Sequence, residues 1–346
     1  MIKLKIIFII TSMLILLTAC NKEESNNPID ESEVSNTVNY TYNNNQTIQY
    51  KMDVTVQNPD LLSYDVYYND ETSQLRPAVI WVHGGGWAIG DKTNNFYDKR
   101  KYFESLGYVL FSINYRLTPV GTDGKPNELL NNNRIKFPTH PQDVASAVSH
   151  IYKNIENYGG DKEKMVILGH SAGAHLSTLI ATDPQYLAKY GLNPKDVFKG
   201  VANFDTEAYN ITQHFMDFGI TPTNNQATVE VDHFLDNDPS TAYHQTVITY
   251  LNAFGGNGNN WAKASPINHL NHSNKPNRYF FYYQDIATSN QKRVDIIEKF
   301  IATLNDGTNQ VVSNKTPFKH NIINQRIGQT NKMTDNLTSF LLSSFN

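Results

Sequence analysis

The segment MVILGHSAGAHL, residues 165–176, constrains the fold more than any other stretch of this chain. Met165 to Leu168 form an apolar run of the length and content of a buried strand, and Ala172 to Ala181 read as a small-residue helix. Between them lies G-x-S-x-G, with Ser171 at a strand-to-helix turn so sharp that its backbone is strained and its hydroxyl stands clear of the sheet. Gly169 and Gly173 flank the serine because a side chain at either place would block the approach of strand to helix. Ser171 is therefore the candidate nucleophile of a nucleophile elbow.

The rest of the pattern agrees with strand and helix in alternation. Pro77 to Val82 is continuously apolar, as a central parallel strand buried on both faces requires. Further strands are expected at KMDVTV (51–56), Tyr64 to Tyr68, Val109 to Asn114, Val201 to Phe204, Tyr279 to Tyr283 and Gln310 to Ser313. Helices are expected over Phe96 to Leu106, Pro141 to Tyr158, from an N-cap at Ser289 to Leu304, and Thr330 to Phe345. This rhythm predicts an α/β fold, a mostly parallel sheet with helices on both faces. Residues 206–270 lack the rhythm and read as an insertion over the site; 118–137 is a polar, Asn-rich excursion.

Composition narrows the partners. The formal net charge of −4 and the lack of a basic block argue against nucleic acid. Cys20 is the only cysteine, so an intramolecular disulfide and a multi-cysteine metal site are both excluded. His269 and His272 share a spacing that metal sites use, but they have no carboxylate or cysteine beside them; no metal and no cofactor is expected. Residues 1–20 open with Lys3 and Lys5 and continue as a hydrophobic stretch too short for a comfortable membrane span. That stretch ends in Leu17-Thr18-Ala19-Cys20, which resembles a bacterial lipobox. The resemblance implies cleavage before Cys20, lipidation of that residue and a stable membrane anchor. Asn21 in the following position favours the outer membrane by the same similarity, and Lys22-Glu23-Glu24 resembles a surface-export signal. Residues 21–46 are polar and read as a tether, so the expected organisation is signal peptide 1–20, tether 21–46 and folded domain 47–346.

HGGGW, residues 83–87, follows the Pro77–Val82 strand directly. Acyl transfer needs donors aimed at the oxygen that becomes negative, and successive glycines leave backbone amides unshielded. Gly85 and Gly86 are the candidate oxyanion donors from this loop, with the amide of Ala172 completing the hole. His83 precedes the glycines and reads as a loop-ordering residue; Trp87 either walls the acyl pocket or packs.

HGGGW, NYRL (114–117), FPTHPQDV (137–144), YGGDKEKMVILGHSAGAHL (158–176) and WAKASPINHL (261–270) together resemble α/β-hydrolase esterases. The similarity is to the hormone-sensitive-lipase and bacterial feruloyl/acetyl-xylan-esterase-like kind, and kynurenine formamidases share much of it. It covers about residues 47–345 and implies an eight-stranded α/β-hydrolase fold and metal-independent hydrolysis. Asn114, Arg116, Asp143 and Asp161 match family positions that look structural.

A serine hydroxyl needs a base, and the base a carboxylate. In this fold the three follow in the order Ser, Asp, His. His320 is the last histidine and resembles the family's G-x-x-H-F segment, although Pro317 and Asn321 stand where Gly and Phe are usual. Asp285 is the expected acid by resemblance to the family's H-G-x-x-D, although Phe281-Tyr282 replaces the His-Gly pair. Asp205, at the end of the preceding strand, is its rival; Asp295 lies inside the next helix and reads as surface.

The expected function is a serine carboxylesterase acting on short-chain acyl esters, such as acetyl or feruloyl groups on polysaccharide. An arylformamidase-like amide hydrolase and a non-catalytic surface binding lipoprotein are the alternatives. The sequence does not fix an oligomeric state.

Overall fold

The structure is a computed structural model that describes residues 40–122, 127–129, 131, 133–220, 222, 242–285 and 291–346. The signal segment, Cys20, the first part of the tether and Ser289 lie outside the described residues. Eight strands form one sheet in the order β1-β2-β4-β3-β5-β6-β7-β8. These are β1 (Asn44–Gln49), β2 (Ser63–Tyr68), β3 (Arg76–Val82), β4 (Val109–Ile113), β5 (Gly160–His170), β6 (Gly200–Phe204), β7 (Arg278–Gln284) and β8 (Gln310–Thr316). β1 and β2 are antiparallel to their neighbours, and every other pairing is parallel.

The continuous apolar strands take the middle of the sheet because each strand feeds two cores. Ile80, Val82, Phe111, Ile113 and Ile167 point into one cluster, while Val79, Trp81, Leu110, Val166 and Leu168 point into the other. That is the period-2 alternation of a strand with helices over both faces. α1 (Tyr97–Ser105) and the C-terminal helix (Lys332–Phe345) cover one face, through Phe103, Leu337 and Leu341. α2 (Thr139–Asn154) and α3 (Ala172–Thr182) cover the other, through Val144, Val148, Leu176 and Ile180. The expected α/β-hydrolase fold is the fold observed.

The N-terminal boundary differs from expectation. NNQTIQ is strand β1, paired with β2 from Asn44↔Tyr68 to Gln49↔Ser63, so part of the sheet lies inside the expected tether and ahead of position 47. KMDVTV is not a strand. Asp53 there accepts hydrogen bonds from the amide and hydroxyl of Thr55, closing a turn, and Met52 and Val54 are exposed. An edge strand has only one neighbour and few buried side chains, so polar NNQTIQ can fill it without an apolar face.

Two short helices, α4 (Gln185–Ala188) and α5 (Pro194–Val197), lead from α3 to β6. The segment between β6 and β7 carries α6 (Ile211–Asp217), α7 (Ala242–Phe254) and α8 (Gly258–Lys263). Phe215 of α6 stacks on Trp261 of α8 at 4.0 Å, so the helical insertion has its own aromatic core. The 118–137 excursion is tied to it: Arg134 donates to the carbonyls of Leu251 and Asn252, and the Phe137 amide to Ala253. α9 (Gln291–Leu304) follows β7, and α10 (His320–Arg326) follows β8. The C-terminal helix is α11.

Candidate active site

Ser171 is the single residue between β5 and α3, at φ 55° and ψ −123°. An L side chain rarely adopts that conformation, and the strain is held by the packing around it. A Cβ on Gly169 would lie 2.3 Å from the Gly173 carbonyl carbon, and one on Gly173 would lie 2.1 Å from the Val82 oxygen. Both glycines are therefore required by contact, as the spacing predicts. The Ser171 amide continues the sheet ladder by donating to the Phe204 carbonyl at 2.9 Å.

His320, the first residue of α10, places Nε2 3.0 Å from Ser171 Oγ. Its Nδ1 lies 2.6 Å from Oδ2 of Asp205. A carboxylate can only accept, so Nδ1 carries the proton and Nε2 is left as the acceptor facing the serine hydroxyl. The residue that the structure brings to His320 is thus Asp205 and not the expected Asp285. Asp205 sits one step past β6, at φ 52°, with its amide bonded to the Tyr282 carbonyl at 2.9 Å. Asp285 sits one strand further along the sheet, exposed, with its amide on the Thr316 carbonyl. Both ring nitrogens of His320 already have other partners.

The Asp205 carboxylate is fully buried, which on its own would raise its pKa. The His320 hydrogen bond and the Arg293 charge overcome that cost and hold it well below the usual carboxylate range. Its second oxygen, Oδ1, accepts from Arg293 at 3.0 Å and from the Gln284 amide at 2.8 Å. Arg293, from α9, also donates Nε–H to Glu207 at 2.8 Å. Glu207 in turn accepts from the Tyr250 hydroxyl of α7 at 3.0 Å. Arg293, Glu207 and Tyr250 carry no motif and were not foreseen. The one available signal was an arginine in the amphipathic helix after β7, at a position whose neighbours Val294 and Ile297 are core residues.

His170 supports the base from below. Its Nε2 is 3.0 Å from the His320 carbonyl oxygen and its ring centroid 4.5 Å from that of His320. Burial, reinforced by the neighbouring His320, pushes its pKa well below that of an ordinary histidine.

HGGGW forms a loop against the same serine. Gly85 (φ 115°), Gly86 (φ 58°) and Trp87 (φ 60°) all have left-handed or mirror-image backbones. The Gly85 carbonyl accepts from the amides of Ala88 and Ile89, closing the turn. A Cβ at Gly85 would lie 1.9 Å from the Ile89 oxygen. Ala172 opens α3, where no earlier carbonyl of the helix takes its amide. Gly86 and Ser171 border both of the cavities described next, Gly85 the first and Ala172 the second. His83 orders the loop, as expected: its ring stacks on Tyr115 at 4.5 Å and the Tyr115 hydroxyl donates to its carbonyl.

Two cavities share Gly86, Ser171 and His320. One, of about 370 Å³, runs past Ile89 and the carboxamides Asn94, Asn95, Asn321 and Gln325. The other, of about 300 Å³, is walled by Trp87, Thr246, Thr249, Tyr250, Glu207 and Arg293. Trp87 both lines the cavity and packs, donating its indole N–H to His175 Nδ1 at 3.2 Å and meeting Phe254 edge-on. Three of the expected structural residues are so placed: Arg116 grips Asp143 with Nε and a terminal nitrogen at 2.6 and 2.7 Å, and Asn114 accepts the Lys92 amide, while Asp161 accepts the Glu163 amide two residues on. His269 and His272 bond to backbone carbonyls; contrary to expectation a carboxylate lies beside His269, with Asp183 Oδ2 3.5 Å from its Nδ1, but no cluster of three metal-ligating side chains occurs among the described residues.

The chain is similar to known proteins. The BD-FAE family model matches residues 64–299. Esterase LipC of Mycobacterium tuberculosis is 31% identical over 140 residues, 36% of this chain and 31% of the relative. Arylacetamide deacetylase of Bos taurus is 30% identical over 155 residues, 42% of this chain and 35% of the relative. The aligned part spans about a third of the length of these curated relatives. Among solved structures, esterase B from Lactobacillus rhamnosis superposes with a TM-score of 0.61 at 16% identity, covering 88% of this chain and 86% of that one. A truncated carbohydrate esterase from gut microbiota superposes with a TM-score of 0.58 at 15% identity, covering 88% and 97%.

Proposed function

This chain belongs to the BD-FAE family, and on that premise we propose that it is a serine carboxylesterase hydrolysing short-chain acyl esters through an acyl-enzyme. The observation that carries this reading is the hydrogen-bonded line Ser171–His320–Asp205, at 3.0 and 2.6 Å. His320 Nε2 takes the hydroxyl proton as Ser171 Oγ attacks the ester carbonyl. The amides of Gly85, Gly86 and Ala172 receive the charge that builds on the carbonyl oxygen, and Asp205 stabilises the imidazolium. The imidazolium then protonates the departing alcohol, an acyl-Ser171 ester remains, and water repeats the sequence to release the acid.

Two chambers meeting at one nucleophile suit a substrate with two arms, an acyl group and an alcohol. The acyl group fits the Trp87 chamber, where the charged Glu207 and Arg293 in the wall disfavour a long hydrocarbon. The carboxamide-lined chamber, which can both donate to and accept from hydroxyls, suits a sugar or polysaccharide alcohol. A lipid anchor at Cys20 in a bacterial cell envelope, read from the sequence alone, belongs to the same proposal.

A fluorophosphonate probe followed by peptide mapping tests the nucleophile: labelling at Ser171 supports the reading, and a folded protein that takes no label overturns it. p-Nitrophenyl esters from acetate to dodecanoate, run beside N-formylkynurenine, test the substrate class. The expected outcome is a rate that falls beyond short acyl chains; faster turnover of the formamide would transfer the site to amide hydrolysis.

A further inference from the structure

The acid of the site does not act as a lone negative charge. Asp205 offers Oδ2 to His320, and its Oδ1 is held by a cation, Arg293 at 3.0 Å. A cation there opposes what the acid is for, because it weakens the field that stabilises a positive imidazole. A second anion, Glu207, lies 2.8 Å from the other side of that guanidinium. The side chains of Arg293 and Glu207 are 9% and 14% exposed, so solvent screens the set poorly. Arg293 thus fixes the orientation of the carboxylate, and Glu207 restores the net charge of −1 behind the imidazole.

We infer that Arg293 and Glu207 are positioning residues of the reaction: Arg293 aligns Asp205, and Glu207 compensates the charge of Arg293 so that the acid still stabilises a positive imidazole. This rests on the serine-hydrolase reading above. The Tyr250 hydroxyl fixes Glu207 at 3.0 Å, and the His214 ring stacks on Tyr250 at 3.8 Å. Because Glu207, Arg293 and Tyr250 also border the Trp87 chamber, the element that tunes the base is the wall that receives substrate.

Other titratable groups lie on or next to the elements that carry this imidazole. His170 of β5 lies against its ring, Lys99 of α1 acts on His170, and Lys319 precedes His320 in the chain. Lys99 Nζ is bonded to the carbonyls of Asn95 and Asn324. All of these are common to the variants compared below, so differences between variants report the Arg293–Glu207 pair.

The test is the pH profile of kcat/KM on a p-nitrophenyl ester for wild type, Glu207→Gln, Arg293→Met and the double variant, with Tm measured for each. Removing the anion should move the acid limb of Glu207→Gln to lower pH by about half to one unit. Removing the cation should move the limb of Arg293→Met to higher pH while kcat falls. The double variant should return the limb to near the wild-type position with kcat still low. A limb that stays in place in Glu207→Gln, or moves up, overturns the inference, as does a uniform loss of activity at every pH. Ser171→Ala in parallel separates the two levels: if it hydrolyses the ester as fast as wild type, the serine-hydrolase reading itself fails. If it is inactive and the limbs do not move, only the charge compensation fails. Should Arg293→Met not fold, Glu207→Gln alone still decides, since it leaves the Arg293–Asp205 bond in place.

Discussion

Asp205 Oδ2 stands 2.6 Å from His320 Nδ1 although 115 residues separate them in the chain. Asp205→Asn keeps the shape but offers an amide N–H where the imidazole needs an acceptor, which favours the wrong tautomer. The expected loss in kcat is on the order of 10⁴-fold, from the parallel substitution in a serine protease triad. Asp285→Asn, at an exposed site just past β7 and away from His320, should change stability by no more than about 0.5 kcal/mol and leave kcat essentially unchanged. Steady-state kinetics of the two variants side by side check the assignment; the reverse ranking would return the acid to Asp285.

The elbow glycines give a prediction about folding rather than chemistry. Gly173→Ala drives a methyl to 2.1 Å from the Val82 oxygen, a backbone atom that cannot swing aside. The expected cost is at least about 3 kcal/mol, the upper part of the overpacking range. Gly191→Ala is the control: its φ is +72°, but nothing lies within 4 Å of the added carbon. It should cost only about 1 kcal/mol, the left-handed backbone penalty. Urea unfolding of both variants measures the difference.

Gly86→Ala separates the oxyanion loop from stability. The added methyl meets only the Thr249 Cγ2 atom, at 2.8 Å, the end of a side chain that can yield. The strained φ would rather be relieved by turning the Gly86 peptide, which removes its amide from the developing charge. A kcat reduced about 10²-fold with a KM changed much less is expected. A raised KM with kcat unchanged would assign the loop to substrate binding alone.

Buried neutral histidines set the acid limit of the fold. Burial pushes His83, His175 and His214 down to about 4 and His140 to about 3, against an ordinary value of 6.5. Between pH 6.5 and 4 the unfolded chain binds protons that the folded one refuses, so stability falls as pH is lowered through that window. From pH 7 to pH 5 the loss is on the order of 2 kcal/mol for each such histidine. The Asp205 contribution has the same sign but is lost only at more acid pH, below the ordinary carboxylate range. Urea midpoints at pH 7, 6 and 5 should decline steadily; a flat profile would mean that these rings are protonated in the folded state.

The central sheet and the elbow were legible because their residues have no alternative. Runs such as AVIWV and MVIL must be buried on two faces, and a glycine with backbone 2 Å from its missing Cβ cannot be anything else. The edge was not legible: NNQTIQ pairs through its backbone and needs no apolar signature, while KMDVTV alternates by composition but is closed by the Asp53 turn. The acid was misplaced for a similar reason. Asp205 and Asp285 each follow a strand, and which of them meets His320 is decided by sheet order and loop path. The departure Phe281-Tyr282, where a His-Gly pair was usual, was the one sign in the sequence that this family position had been vacated. Arg293 and Glu207 announce themselves only once α9 is packed on the sheet.

The amides of Ser171 and Asp205 are themselves the outermost rungs of the β5–β6 and β6–β7 ladders, bonded to Phe204 and Tyr282. Nucleophile and acid are hung from the hydrogen bonds that hold the sheet together, not from a loop with freedom of its own. Heating should therefore leave turnover intact until the sheet opens, with inactivation and melting recorded as a single event.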